Sequence, residues 1–158
     1  MTPLFKKLNL TAHTQIVVLN APDSFEGELE QLSGVAVLRK VGKTTRVSFA
    51  MAFATNQKQL DAASKSLTAA AEGDAILWMC YPKQSSKKYK CDFNRDSGWT
   101  VLGEAGYEPV RMVAIDEDWS ALRFRKVENI KTLTRNKTMA ISKEGKKRAA
   151  KKSSPKSK

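Results

Sequence analysis

Two stretches of this chain, Val47–Phe53 and Ala75–Tyr81, are apolar at nearly every position, and each is too short for a helix of ordinary length. Such runs suit strands covered on both faces, which occur where helices lie above and below a parallel sheet. The rest of the pattern agrees. Short apolar runs at Ile16–Leu19 and Val35–Leu38 alternate with helical stripes, one through Phe25, Leu29 and Leu32 and one through Leu60, Ala63, Leu67 and Ala70. Asp23 stands three residues ahead of Glu26 in a capping-box spacing, Thr55 or Asn56 caps the second helix, and Gly34 and Gly73 close the two elements.

A third helix places Trp99, Leu102 and Ala105 on one face and ends at Gly106. Val110–Ile115 and Ala121–Arg125 are then joined by so short a link that they must pair antiparallel. Between Val35–Leu38 and Val47–Phe53 no helical pattern occurs. Eight residues at about 3.3 Å each can still cross the sheet for a parallel placement, and a hairpin through Gly42-Lys43-Thr44-Thr45 is the alternative. The expectation is an α/β, three-layer Rossmann-like domain: a mostly parallel sheet of about six strands ending in an antiparallel hairpin. By fold analogy this is the plan of class I methyltransferase-like domains, shortened by about one β–α unit.

Charge divides the chain into two segments. Its net charge is +12, yet residues 131–158 carry 11 Lys and Arg against one acid, while residues 1–130 carry 17 against 15. The expected organisation is a nearly neutral domain over 1–130 and a basic tail over 131–158, too poor in large apolar groups to order by itself. Lys146, Lys147, Arg148, Lys151 and Lys152 would hold RNA or DNA there by counterion release, without sequence preference. The other readings of the tail are an acidic membrane surface and a solubility extension. No run reaches the roughly 18 apolar residues of a membrane span, and the first residues lack the apolar core of a signal peptide, so a cytoplasmic protein with no membrane partner is expected. Cys80 and Cys91 lack metal-ligand spacing and read as reduced thiols.

Ligands of open α/β sheets bind beyond the carboxyl ends of the strands. After the first strand stands Asn20-Ala21-Pro22-Asp23-Ser24, where a nucleotide-binding relative would carry glycines; Pro22 even lacks a backbone donor. Arg39 follows the second strand where a ribose-binding acid would stand. Asn20, Asp23, Ser24, Thr55 and Lys83 are the candidate ligand-binding residues along this edge. In the loop after the fourth strand, Lys87, Lys88, Lys90 and Arg95 suit phosphates and Tyr89 and Phe93 suit base stacking. The competing reading is a solvated loop whose rings pack back on the sheet.

Asp116, Glu117 and Asp118 point in alternating directions, which disfavours a metal site; fixing the turn, or pairing with Arg111 or Arg123, is expected instead. His13 has no nucleophile motif beside it and reads as structural or exposed. No catalytic residue, metal ligand or cofactor is assigned.

Several strings also resemble one family: Asn20-Ala21-Pro22 with Phe25, Leu77-Trp78 with Tyr81-Pro82-Lys83, and Ala114-Ile115-Asp116-Glu117 with Trp119-Ser120 and Leu122. Together they resemble a family of uncharacterised bacterial proteins, a domain of unknown function, over roughly residues 3–127. The resemblance implies the same truncated Rossmann fold and carries no catalytic residue with it. The resulting expectation is a non-enzymatic binding protein whose basic tail adds nucleic-acid affinity. The alternative is a small enzyme or nucleotide-binding protein related to class I methyltransferases.

Overall fold

The computed structural model describes residues 2–93 and 98–130. The chain opens with a short helix, α1 (Pro3–Lys7), capped by the Thr2 hydroxyl, which accepts from the Phe5 N–H at 3.2 Å. Proline at the first helical position fits because its missing N–H would have no partner there. Strand β1 (Gln15–Leu19), helix α2 (Asp23–Glu30) and strand β2 (Ala36–Leu38) follow. Next come β3 (Val47–Phe53), α3 (Gln57–Ala70), β4 (Ala71–Pro82), α4 (Thr100–Glu104), β5 (Tyr107–Ala114) and β6 (Trp119–Lys126).

The six strands form one sheet in the order β2-β1-β3-β4-β6-β5. The first four neighbours are parallel, and β6 pairs antiparallel with both β4 and β5. This is the expected fold class. It also decides the open question about Val47–Phe53: β3 pairs parallel with β1, so β2 is not its neighbour and the segment 39–46 passes back across β1. The chain therefore runs to opposite sides of β1 in successive steps. The switch point lies between β1 and β3, where a crevice opens in folds of this kind.

Alternation along the strands builds two apolar layers. Val17, Ala50, Ala52, Leu77, Met79, Leu122 and Phe124 face α3 and α4, whose buried Leu60, Ala63, Leu67 and Leu102 cover them. Ile16, Val18, Phe49, Met51, Phe53, Trp78, Cys80 and Ala121 face the other way, under α1 and α2. Trp78 is wholly buried there and donates its indole N–H to the Leu8 carbonyl at 2.9 Å, anchoring the turn after α1.

Several local expectations are corrected. Pro22, not Asp23, occupies the N-cap of α2 with no side-chain cap bond, so no capping box forms; α2 ends at Glu30, short of Gly34. Residues Ala71–Ala75 extend β4 backward, with Gly73 at φ +59° inside the strand rather than beyond a helix end. Strand β5 starts at Tyr107, three residues before the apolar run, and holds Pro109 at a register shift, tolerated because β5 is an edge strand.

Candidate functional site

Strand β4 ends at Pro82, which pairs with Trp119 while Tyr81 pairs with Ser120, so the exit of β4 and the entry of β6 lie side by side. The β5–β6 turn is tied by Asp116, whose Oδ1 accepts from the N–H groups of Asp118 and Trp119, both at 2.8 Å. That fulfils the turn role expected for this acidic run. Asp118 then holds the loop after β4. Its backbone carbonyl accepts from the Lys83 N–H at 2.8 Å, and its carboxylate accepts from the Ser86 hydroxyl at 2.8 Å. The Ser86 oxygen itself accepts from the N–H groups of Tyr89 at 3.1 Å and Lys88 at 3.3 Å.

The loop straddles the strand end. Tyr89 packs on Trp119 with ring centroids 4.9 Å apart, on the α1–α2 side of the sheet. Phe93 lies buried on the opposite side, edge-on to Trp99 at 5.5 Å and 6.1 Å from Tyr81. Between them Asp92 accepts from the Gln57 N–H at 2.8 Å, supplying the first turn of α3 with a negative partner. Both rings thus pack onto the sheet, the competing reading above, rather than standing free to stack a base.

What the loop leaves is a cleft of about 950 Å³ at the carboxyl end of β4, with Tyr81, Lys83, Lys90, Phe93, Met112 and Ser120 among its walls. The Tyr81 hydroxyl donates to the Met112 sulfur at 3.6 Å across it. Ammonium groups, hydroxyls, ring edges and a polarizable thioether in one concavity suit a ligand with an anionic end and a planar apolar body. Cys91 also lines the cleft, but burial pushes its thiol up and away from nucleophilic thiolate chemistry. Among the described residues no cluster of metal ligands occurs.

The remaining edge residues stand at the neighbouring strand ends. Register places Leu19 opposite Ala52, and Ala52 opposite Met79, so β1, β3 and β4 finish along one rim. Asn20 follows β1 at φ +59°, the left-handed conformation a glycine would supply; asparagine tolerates it better than most side chains. The turn lacks glycine yet keeps a glycine-like backbone. Asp23 and Ser24 are exposed in the first turn of α2. The Thr55 N–H donates to Gln59 Oε1 at 2.9 Å, and Asn56 Oδ1 accepts from the Gln59 N–H at 2.8 Å, so this corner is spent on capping α3. Beneath the rim Phe25, Phe53 and Trp119 form a continuous row, with centroid spacings of 5.0 and 5.1 Å.

Of the candidate residues, Lys83 and Lys90 reach the cleft together with Tyr89. Lys87 and Lys88 are exposed on the loop, Lys88 Nζ lying 5.5 Å from the Tyr89 ring centroid. Asn20, Asp23, Ser24 and Thr55 belong to the β1 and β3 ends. Arg95, Lys146, Lys147, Arg148, Lys151 and Lys152 lie outside the described residues. Sequence reasoning missed Met112 and Ser120; alternation in β6 put Ser120 on the face of Leu122, but nothing local joined Met112 to them. Arg39 is not a free cation: it grips Glu26 through two bonds of 2.7 Å, and that contact holds the Glu26 carboxyl below its usual range.

No protein-family model matches the sequence, and no curated protein matches it. Solved structures do. A SAM-dependent methyltransferase from Aquifex aeolicus aligns with a TM-score of 0.52 at 12% identity, over 78% of this chain and 88% of that one. The N-methyltransferase NodS from Bradyrhizobium japonicum aligns with a TM-score of 0.50 at 12% identity, over 78% and 92%. The fold is methyltransferase-like. This corrects the expectation of a non-enzymatic binding protein: both of these chains, matched over 88% and 92% of their own length, are methyltransferases. Among the described residues no helix is long and apolar enough to cross a membrane.

Proposed function

We propose that the protein is a small enzyme related to class I methyltransferases and that its substrate, a nucleotide by chemical class, binds in the cleft at the carboxyl end of β4. One observation carries this reading: a cleft of about 950 Å³ beside the strand ends brings Lys83 and Lys90 together with Tyr81, Phe93 and Met112. The ammonium groups would take the phosphate and the exposed Met112 thioether the base. The solved methyltransferases support the class, and the resemblance to an uncharacterised bacterial family is compatible with it.

The relationship implies a methyl donor of the S-adenosylmethionine type at the β1–β3 switch point. The residues there do not match the grip such a group needs. Asn20 offers the turn, but Pro22 removes a backbone donor, and an Arg39–Glu26 ion pair stands where the ribose would meet a free carboxylate. The nucleotide reading therefore rests on the cleft alone.

Calorimetric titration of the full chain with adenosine, guanosine, cytidine and uridine monophosphates tests it, with S-adenosylmethionine as a separate arm. Saturable binding of at least one nucleotide is expected, weakened about tenfold or more in a Lys83→Ala/Lys90→Ala double variant, since even one charge-assisted hydrogen bond contributes about 1.5–3 kcal/mol. Absence of nucleotide binding, or affinity unchanged in the variant, overturns the reading. S-adenosylmethionine binding that ignores the double variant would instead place the ligand at the β1–β3 switch point.

A further inference from the structure

On the opposite side of the sheet from the cleft, Arg111 and Arg123 face each other across β5 and β6 as direct cross-strand partners. Arg123 in turn pairs with Trp78, whose indole anchors the turn after α1. Like charges set directly opposite each other on a sheet destabilise it, and proteins usually place an acid between them. Among the described residues neither arginine makes an ion pair. Both instead donate to one neutral acceptor, Asn9 Oδ1, Arg111 Nη1 at 3.0 Å and Arg123 Nη1 at 3.5 Å.

The acceptor is held there on purpose of backbone geometry: Asn9 sits at φ +67°, a left-handed residue in the turn whose preceding carbonyl takes the Trp78 indole. One amide oxygen cannot neutralise two cations. The neighbouring arginine shows what balance looks like on the same strand, since Arg125 grips Asp74 through Nε at 2.9 Å. Arg123 has no such partner, and its Nε is buried without any acceptor. Burial and the nearby positive charges of Arg125 and Arg111 lower its hold on its proton, while Asp74 opposes them.

We propose that Arg111 and Arg123, with the Asn9 turn, form a binding site for a phosphoryl group, separate from the cleft at the end of β4. Planar guanidinium forks suit tetrahedral oxyanions, and an anion shared between the two would relieve their repulsion while leaving Asn9 as the fixed edge of the site. The phosphoryl group can belong to free phosphate or to a nucleic-acid backbone, and the test separates these sources.

The test uses the full chain at constant ionic strength, with chloride replaced by inorganic phosphate or pyrophosphate, and a parallel titration with single-stranded oligothymidylate. Thermal unfolding and direct binding are both followed. Phosphate or pyrophosphate should raise the melting temperature of the unmodified chain in a saturable manner, with affinity lost tenfold or more in Arg111→Gln and in Arg123→Gln. Lys58→Gln, at an exposed position of α3, controls for one lost charge and should leave the response intact. Arg111 is exposed, so its variant keeps the test valid if Arg123→Gln folds poorly. Response to the oligonucleotide alone, lost in the same variants, assigns the site to a nucleic-acid backbone. Binding equal in wild type and Arg111→Gln, or no binding of any of the three probes, overturns the site and leaves the arginines as a clamp on Asn9.

Discussion

Ser86→Ala isolates what holds the cleft wall in place. The hydroxyl donates to the Asp118 carboxylate at 2.8 Å and accepts from two backbone N–H groups at 3.1 and 3.3 Å. A hydrogen bond to a charged group contributes about 1.5–3 kcal/mol when well sheltered. Ser86 is only half-buried and water can replace part of the loss, so about 1–2 kcal/mol is the reasonable scale for opening the loop. That corresponds to a rise of roughly 5–30-fold in the open population, since about 1.4 kcal/mol is a factor of ten.

The assay is native-state amide exchange resolved at single residues. Lys88 and Tyr89 should exchange 5–30-fold faster (about 1–2 kcal/mol), while the amides of β1, β3 and α3 keep their rates because Tyr89–Trp119 stacking and the Asp92–Gln57 bond anchor the loop independently. Ser86→Thr, which retains the hydroxyl, should restore wild-type protection. Unchanged exchange at Lys88 and Tyr89 would show that the hydroxyl does not hold the loop. A uniform acceleration across the sheet would refute the reasoning differently, by showing that loop and core open as one unit.

Asn20→Ala should destabilise the fold by about 1–2 kcal/mol in urea denaturation, because alanine gains nothing from the left-handed region that asparagine tolerates, whereas Asn20→Gly should stay within about 1 kcal/mol of wild type; equal stability of Ala and Asn would mean the turn relaxes out of that conformation. His13 is partly buried against Phe49, its Nδ1 accepts from the Thr11 N–H at 3.1 Å, and burial lowers its affinity for a proton. The unfolded chain then binds the proton more readily, so this group's contribution to stability is complete above its ordinary value near 6.5 and is lost as pH falls below it through the lowered folded value. His13→Gln should flatten that part of the stability profile relative to wild type; an identical pH profile for the variant would remove His13 from the account.

Periodicity was informative where burial is two-sided. Val47–Phe53 and Ala75–Tyr81 announce central strands because a parallel sheet buries both faces, and the stripe Leu60–Ala63–Leu67–Ala70 announces the helix that covers one of them. Ends of elements were less legible. Gly73 looks like a helix stop, yet it lies in a strand because the segment before Ala75 finds a partner in β3, Ala71 pairing with Val47. Asp23 and Glu26 have capping-box spacing, but Arg39, thirteen residues further on, draws the Glu26 carboxylate away from the helix start.

By itself the amino-acid order determined the layer count, the mostly parallel sheet and the antiparallel finish, because these follow from which residues must leave water and from how short a link can be. It also located the rim at which ligands meet such a sheet. Tertiary structure alone decided which residues share the cleft and which share an acceptor. Lys83 and Met112 come together because β6 inserts between β4 and β5, and Arg111 meets Asn9 because the turn after α1 crosses the far face of the sheet. Those contacts are set by strand order and register, which depend on packing among distant segments and leave no mark on local spacing.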